Sequence, residues 1–244
     1  MCSGSAPKSP PLPPWAVAAE RLTAFTTRRL VDTELWVAPV ARVAVVMPAV
    51  YFLVNLILQR VNADQLRSAG HQLRVDWHDA QNGITPPPYH GPSGFEPVSL
   101  VVAVLALAGV VVACIWQHRA ASAGRALGFP SRQSPAWGVG AWFVPVVALW
   151  VPYSAVRDCL PPDHPHRPRV LLWWIAWLAA TFLSATAGIC ALFSTGAALA
   201  VSIPAALACL AVIAWAPGIV NAIAVTHREA VERQAQAMGA LQGS

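Results

Sequence analysis

A chain of 244 residues that is 56% hydrophobic and only 11% charged cannot cover itself with polar surface, because an average soluble domain carries roughly 25% charged residues. Its apolar residues also sit in long unbroken runs, which excludes an ordinary soluble domain and points to a polytopic membrane protein. The net charge of +5 resides largely in arginines near the ends of those runs, so the basic balance reports on membrane orientation and gives no reason to expect a nucleic-acid partner.

Residues 1–36 begin with the proline-rich stretch APKSPPLPP. It reads as an extended, partly disordered cytoplasmic tail, although Pro10 to Pro14 also fit a PxxP ligand. From Trp15 to Trp36, apolar residues interleaved with Arg21, Arg28 and Arg29 have the composition of an interfacial helix on the inner leaflet. About forty residues precede the first apolar run, too many for a signal-peptide n-region, so the first helix is expected to remain as an anchor.

The transmembrane domain is expected over 37–226. Arg42 to Arg60 encloses 17 uncharged residues, Glu96 to His118 encloses 21, and Arg169 to His227 encloses 57. A helix needs about 20 residues to cross the hydrocarbon core, so the last run holds two helices joined at Ser194-Thr195-Gly196. The spans are placed at about 37–58, 98–117, 170–193 and 197–225, the first lengthened by Arg42 reaching back to the headgroups. Residues 60–97 read as a long external loop and 227–244 as a cytoplasmic helix or tail.

The ambiguous stretch is RQSPAWGVGAWFVPVVALWVPYSAVRD, from Arg132 to Asp158, which has 24 uncharged residues between Arg132 and Arg157. If it crosses, the protein has five transmembrane helices; if it stays on one side, it has four. Lys and Arg concentrate on the cytoplasmic side of membrane proteins. With five spans the Lys and Arg residues divide eight inside and eight outside, whereas with four they divide thirteen and three. The four-helix topology is therefore preferred, both termini inside, and segment 134–157 becomes interfacial or re-entrant. Ser134-Pro135 is a good helix start. Pro145 and Pro152 each remove a backbone hydrogen bond that lipid cannot replace. Trp116, Trp173, Trp174, Trp177 and Trp215 read as an interfacial belt, to which Trp137, Trp142, Trp150 and Tyr153 could add.

Trp116-Gln-His-Arg119, then GRALGF from Gly124, then RQSPAWGVGAWFVPVVALWVPY from Arg132, and Arg157, together resemble the signature of an actinobacterial membrane family catalogued as domain of unknown function 4328. With flanking helices the resemblance covers about 43–226. It implies a multi-helix integral membrane protein and brings no catalytic residues, because the family has no assigned reaction. Members commonly carry asparagine where Ala148 stands, a basic residue where Val151 stands, and asparagine at or near Gly124.

Beyond Arg42, no ionisable residue falls inside an expected span, which disfavours proton relays and ion sites. Asn55 and Asn221 are the candidate intramembrane polar residues, able to line a solute path or to bond between helices. Ala180, Ser184 and Gly188 form a small-residue face, Gly109 and Ala113 a shorter one, and either could build the bundle or a homo-oligomer. Two loop clusters, His71, Asp76, His78 and Asp79, and Asp163, His164 and His166, contain ligand-type side chains without a metal-site spacing. The five cysteines form no CxxC pair, although Cys2 or Cys159 could be acylated. No hydrolase, P-loop, zincin or dinucleotide motif occurs, and no catalytic residue, metal or cofactor is assigned.

The expectation is thus an all-α plasma-membrane protein, non-enzymatic, engaging a partner protein or anionic lipid through Trp137, Trp142, Pro145, Trp150, Pro152, Tyr153 and Arg157. The alternative is a small-solute or lipid transporter using Asn55 or Asn221. A membrane-embedded enzyme ranks third.

Overall fold

The computed structural model describes residues 14–83, 85 and 96–242, and among these every regular element is helical. The elements are α1 (Pro14–Ala44), α2 (Met47–Val61), α3 (Ala63–Gln81), α4 (Glu96–Ala126), α5 (Pro135–Gly140), α6 (Val151–Arg157), α7 (Arg167–Ala191) and α8 (Thr195–Gln242), with two 3₁₀ turns, Ala141–Phe143 and Val147–Leu149, between α5 and α6. Four stretches are long and apolar enough to cross a membrane: Leu22–Val61, Val98–Ala126, Arg167–Ala191 and Thr195–Ala240. The protein is a four-span all-α membrane protein, and segment 134–157 is not a fifth span.

The first span is two helices with a break. Pro48 has no N–H to offer the Ala44 carbonyl four residues earlier, and the Val46 N–H turns back to the Val43 carbonyl at 3.2 Å. Gly109 of α4 sits against this break, where an added Cβ would lie 2.8 Å from the Ala44 carbonyl oxygen and 2.7 Å from Met47 Cβ. Any larger residue at 109 would force α4 away from the α1–α2 junction.

Helices α1 and α8 reach well beyond the bilayer. The 48 residues of α8 extend about 72 Å at 1.5 Å per residue, against a hydrocarbon core roughly 30 Å thick. Helix α1 runs without interruption through position 36, where the tail was expected to give way to the first span, and it packs against α4 and α8. Its buried stripe is Thr27, Val31, Glu34, Ala38 and Ala41, alternating steps of four and three. A buried stripe of the same spacing runs along α8 through Ala205, Cys209, Val212, Ala216, Ile219 and Ile223. This is the 3.5-residue repeat of a coiled-coil seam, and the many alanines let the helix axes approach closely.

The segment expected as a loop over 60–97 instead forms α3 from Ala63 to Gln81. Gly70 rests on the turn between α7 and α8, so near that a Cβ there would collide with the Leu192 carbonyl. At that turn Ser194 caps α8, its Oγ accepting the Ala197 N–H at 3.3 Å, and Arg60 Nη2 donates to Ser202 Oγ at 2.8 Å. The small-residue face of α7 is used inside the chain: Ala180 and Ser184 are buried, and Gly188 faces the Gln59 amide. The proline-rich calls on residues 1–13, including Cys2, lie outside the described residues.

Candidate interaction site

The Trp/Pro-rich segment takes its shape from its prolines. Ser134 caps α5 by accepting the Trp137 N–H, with Pro135 in the first turn. Pro145 pushes Val144 into an extended conformation (φ −108°, ψ 106°) and separates the two 3₁₀ turns. Pro152 does the opposite: it occupies the first turn of α6, where a missing N–H costs nothing. Four short helical pieces therefore fold back on the bundle.

Three side-chain hydrogen bonds hold the segment down. Gln117 of α4, which is buried, accepts the Trp142 indole N–H at 2.8 Å and donates to the Gly138 carbonyl at 3.1 Å. Trp174 of α7 donates its indole N–H to the Leu149 carbonyl at 2.9 Å. The Trp142 ring packs edge-on against Trp174 at 5.4 Å and Trp177 at 5.8 Å between centroids. Since Trp177 lies ten residues into α7, about 15 Å from Arg167 along the axis, Trp142 reaches into the bundle and the chain then returns to the same end of it, a re-entrant path.

Of the expected interaction residues, Trp137, Pro145 and Trp150 are exposed, together with Phe143, Val144, Val146 and Leu149. Trp142 and Tyr153 are half-buried, and Pro152 is fully buried. Arg157 is bound locally: it lies over the Tyr153 ring at 5.4 Å and donates to buried Asp158 at 3.0 Å. The carboxylate also holds Arg167 Nη2 at 3.5 Å. Burial works against the Arg157 charge, but Asp158 and, after it, Tyr153 together outweigh it and leave the guanidinium pKa raised.

The tryptophan belt expected from the sequence is only partly a belt. Trp116, Trp173 and Trp174 are buried, because the re-entrant segment covers the faces that would otherwise meet lipid. Trp116, Gln117, Trp142, Trp173 and Trp177, with Val45 and Pro48 at the α1–α2 break, enclose a partly open cavity of about 80 Å³ with an almost wholly apolar lining.

Asn55 and Asn221 do not meet. Asn55 donates to the Tyr51 carbonyl of its own helix at 2.9 Å, and Asn221 is exposed on α8. Arg60 sets the register of α2 at Ser202, which leaves the two asparagines about 20 Å apart along the bundle. Neither lines the tryptophan cavity.

Sequence reasoning missed a second polar centre. Glu34 and His227 are both completely buried, with His227 Nδ1 2.6 Å from Glu34 Oε2 and Nε2 2.9 Å from the Cys159 carbonyl oxygen. Gly128, at φ +83°, reverses the chain after α4 and brings Phe129 against the imidazole at 5.6 Å. Gly124 leaves room beside the same ring, since a Cβ there would lie 3.4 Å from His227 Nε2. Both residues lie just outside the spans expected at 37–58 and 197–225, on the parts of α1 and α8 that continue beyond them. The 3–4 spacing of Thr27, Val31, Glu34, Ala38 and Ala41 was the available signal. Cys159 is buried beside this centre, its thiol donating to the Ala155 carbonyl, and burial pushes its pKa up, which makes it a poor acylation or labelling site.

Neither loop cluster gathers a metal site: among the described residues no three His, Cys, Asp or Glu side chains converge. His164 instead lies 3.1 Å from Thr226 Oγ1 and accepts the His166 backbone N–H at Nδ1.

A model of the family described as "Domain of unknown function (DUF4328)" matches residues 96–227, more than half of the chain. The chain belongs to the DUF4328 family. The matched DUF4328 region starts with α4 and ends at His227, so it holds the re-entrant segment, Gln117 and the histidine of the buried pair, while Glu34 lies N-terminal to it. No curated protein and no solved structure matches the chain.

Proposed function

We propose that this DUF4328 protein is a non-enzymatic component of the plasma membrane that engages lipid of the inner leaflet through its re-entrant segment, with both termini cytoplasmic. The observation that carries this reading is the tip of the segment. Gln117 and Trp174 pin its two arms, while Phe143, Val144, Pro145 and Val146 project as an exposed apolar turn. Exposed apolar side chains at that depth are at home in acyl chains, and the thirteen-to-three distribution of Lys and Arg supports an inner-leaflet location and attraction to anionic headgroups. The transport reading has less support, because Asn55 and Asn221 stand far apart and outside the tryptophan cavity.

The test places a polarity-sensitive fluorophore on Val146→Cys in a background without other cysteines, reconstituted in vesicles of phosphatidylglycerol and phosphatidylcholine. Lipid engagement predicts blue-shifted emission quenched by spin-labelled acyl chains. Quenching by aqueous iodide instead would show a solvent-facing tip and favour a protein partner.

A further inference from the structure

Helix α3 crosses the end of the bundle opposite the re-entrant segment. Ala63, its first residue, lines a small pocket with Ala191, Thr195 and Ala198 around the α7–α8 turn, and Gly70 rests on Leu192 of the same turn. About 10.5 Å of helix separates these two positions, yet both meet one turn. Helix α2 runs up to the same level, with Gln59 beside Gly188 of α7, so a helix continuing its line would have carried Gly70 clear of Leu192. The chain instead breaks at Asn62 (φ −106°, ψ 24°), and α3 leads away from α2 over the turn. Leu73 and Trp77, about 4.5 and 10.5 Å farther along than Gly70, lie past it.

That course gives each side of α3 a definite direction. Ala63, Gly70, Leu73, Trp77 and Ala80 fall on one side, at steps of seven, three, four and three. Because Gly70 is seated on Leu192, this side faces the bundle end and, past the turn, the bilayer that surrounds the spans. Leu73 and Trp77 are 51% and 69% exposed, so among the described residues nothing covers them. The other side carries Asp64, Arg67, His71 and His78, all exposed, and Asp76 at the border accepts from Gln72 Nε2 at 3.0 Å. With Arg67 and Arg74 against Asp64, Asp76 and Asp79, α3 has no charge-based attraction for anionic lipid. What it offers is an aliphatic side chain and an indole, an amphipathic ring suited to the headgroup level.

We propose that α3 is an interfacial helix of the leaflet opposite the re-entrant segment, with Leu73 and Trp77 inserted among lipid just below the headgroups and the charged side in water. The partner is the bilayer already in contact with the spans, continued under α3. Insertion depends on the apolar side alone, so an uncharged phosphatidylcholine surface suffices. This contact is separate from the one proposed for the tip at Val146, and it holds whichever end of the bundle is cytoplasmic.

Electron paramagnetic resonance of the full chain in phosphatidylcholine vesicles tests this, with single spin labels at Leu73→Cys, Trp77→Cys or Val75→Cys in a background without native cysteines. Val75 is exposed and lies two residues from each of the others, hence on the opposite side of the helix. Collision with oxygen, which concentrates in lipid, should exceed collision with a water-soluble nickel chelate at 73 and 77, and the order should reverse at 75. A label at Ala80→Cys keeps Leu73 and Trp77 intact and should report as 73 does. Adding Leu73→Asp/Trp77→Asp should shift it to the nickel-accessible pattern of 75. Nickel access at 73 and 77 equal to that at 75 would overturn the proposal by placing α3 in water. Labels at 73 and 77 shielded from both reagents would overturn it too, because a protein surface or a second copy would then cover this side.

Discussion

His227 Nδ1 lies 2.6 Å from Glu34 Oε2, joining the first and last helices across 193 residues of sequence at a point where neither side chain has any exposure. Because Nε2 faces the Cys159 carbonyl, that nitrogen carries a proton, and one more proton is shared along Nδ1···Oε2. The pair is then electrically neutral as a unit, which is what allows full burial. Three elements meet there: α1, α8 and the connector after α6. Removing one partner of such a pair costs about 3–5 kcal/mol, while replacing both by apolar residues can be nearly neutral. Glu34→Ala and His227→Ala should each strongly lower the unfolding midpoint, and Glu34→Met/His227→Leu should recover most of the loss. Heat- or detergent-induced unfolding of the purified variants measures this, and strictly additive losses would contradict the pairing.

Gln117 is the peg of the re-entrant segment. Gln117→Leu keeps the volume roughly constant but strands the Trp142 N–H and the Gly138 carbonyl, each an unpaired group worth about 1–3 kcal/mol. Backbone amides over 135–150 should then exchange faster with deuterium, while α7 and α8 remain protected. Unchanged exchange in the segment would mean that the tryptophan packing alone holds it.

Acid should loosen the connector between α6 and α7. Burial, followed by the neighbouring His166, lowers the His164 pKa, only partly opposed by Glu229. Its neutral ring accepts the His166 N–H at Nδ1 and meets Thr226 at Nε2. A histidine whose folded pKa is depressed binds fewer protons folded than unfolded, so its stabilisation is complete above the unfolded value of about 6.5 and fades as pH falls through the lowered folded value. The midpoint of thermal unfolding should drop more steeply between pH 7 and 5 in the wild type than in His164→Gln. Parallel curves would assign the pH response elsewhere.

Sidedness is testable by thiol labelling, although buried Cys159 is a poor reporter. In a background without native cysteines, Gln81→Cys at the exposed end of α3 and Gln236→Cys on the exposed part of α8 are better placed. An impermeant maleimide added to intact cells should modify position 81 and spare position 236 until the membrane is permeabilised. Modification at 236 from outside would reverse the proposed orientation of the carboxyl end.

The sequence alone determined the solvent and the number of crossings. Runs of 21 and 57 uncharged residues have no stable home in water, and arginine resists translocation, so four spans and a folded-back segment 134–157 follow from composition and charge placement. Proline identity was less informative than proline surroundings. Pro145 breaks its segment, yet Pro204 and Pro217 lie inside an uninterrupted α8, because the apolar part of α8 packs against α7 and its buried stripe holds the helix through the lost bonds.

Only the tertiary structure decided which side chains face inward. Trp116 and Trp173 look like interfacial anchors until the re-entrant segment covers them, and Glu34 looks like a charge in a solvated tail until α1 is seen packed against α4 and α8. Hydropathy measures a residue's preference between water and lipid. It carries no information on a third environment, the protein interior, where a carboxylate can be stable because an imidazole from the other end of the chain is 2.6 Å away.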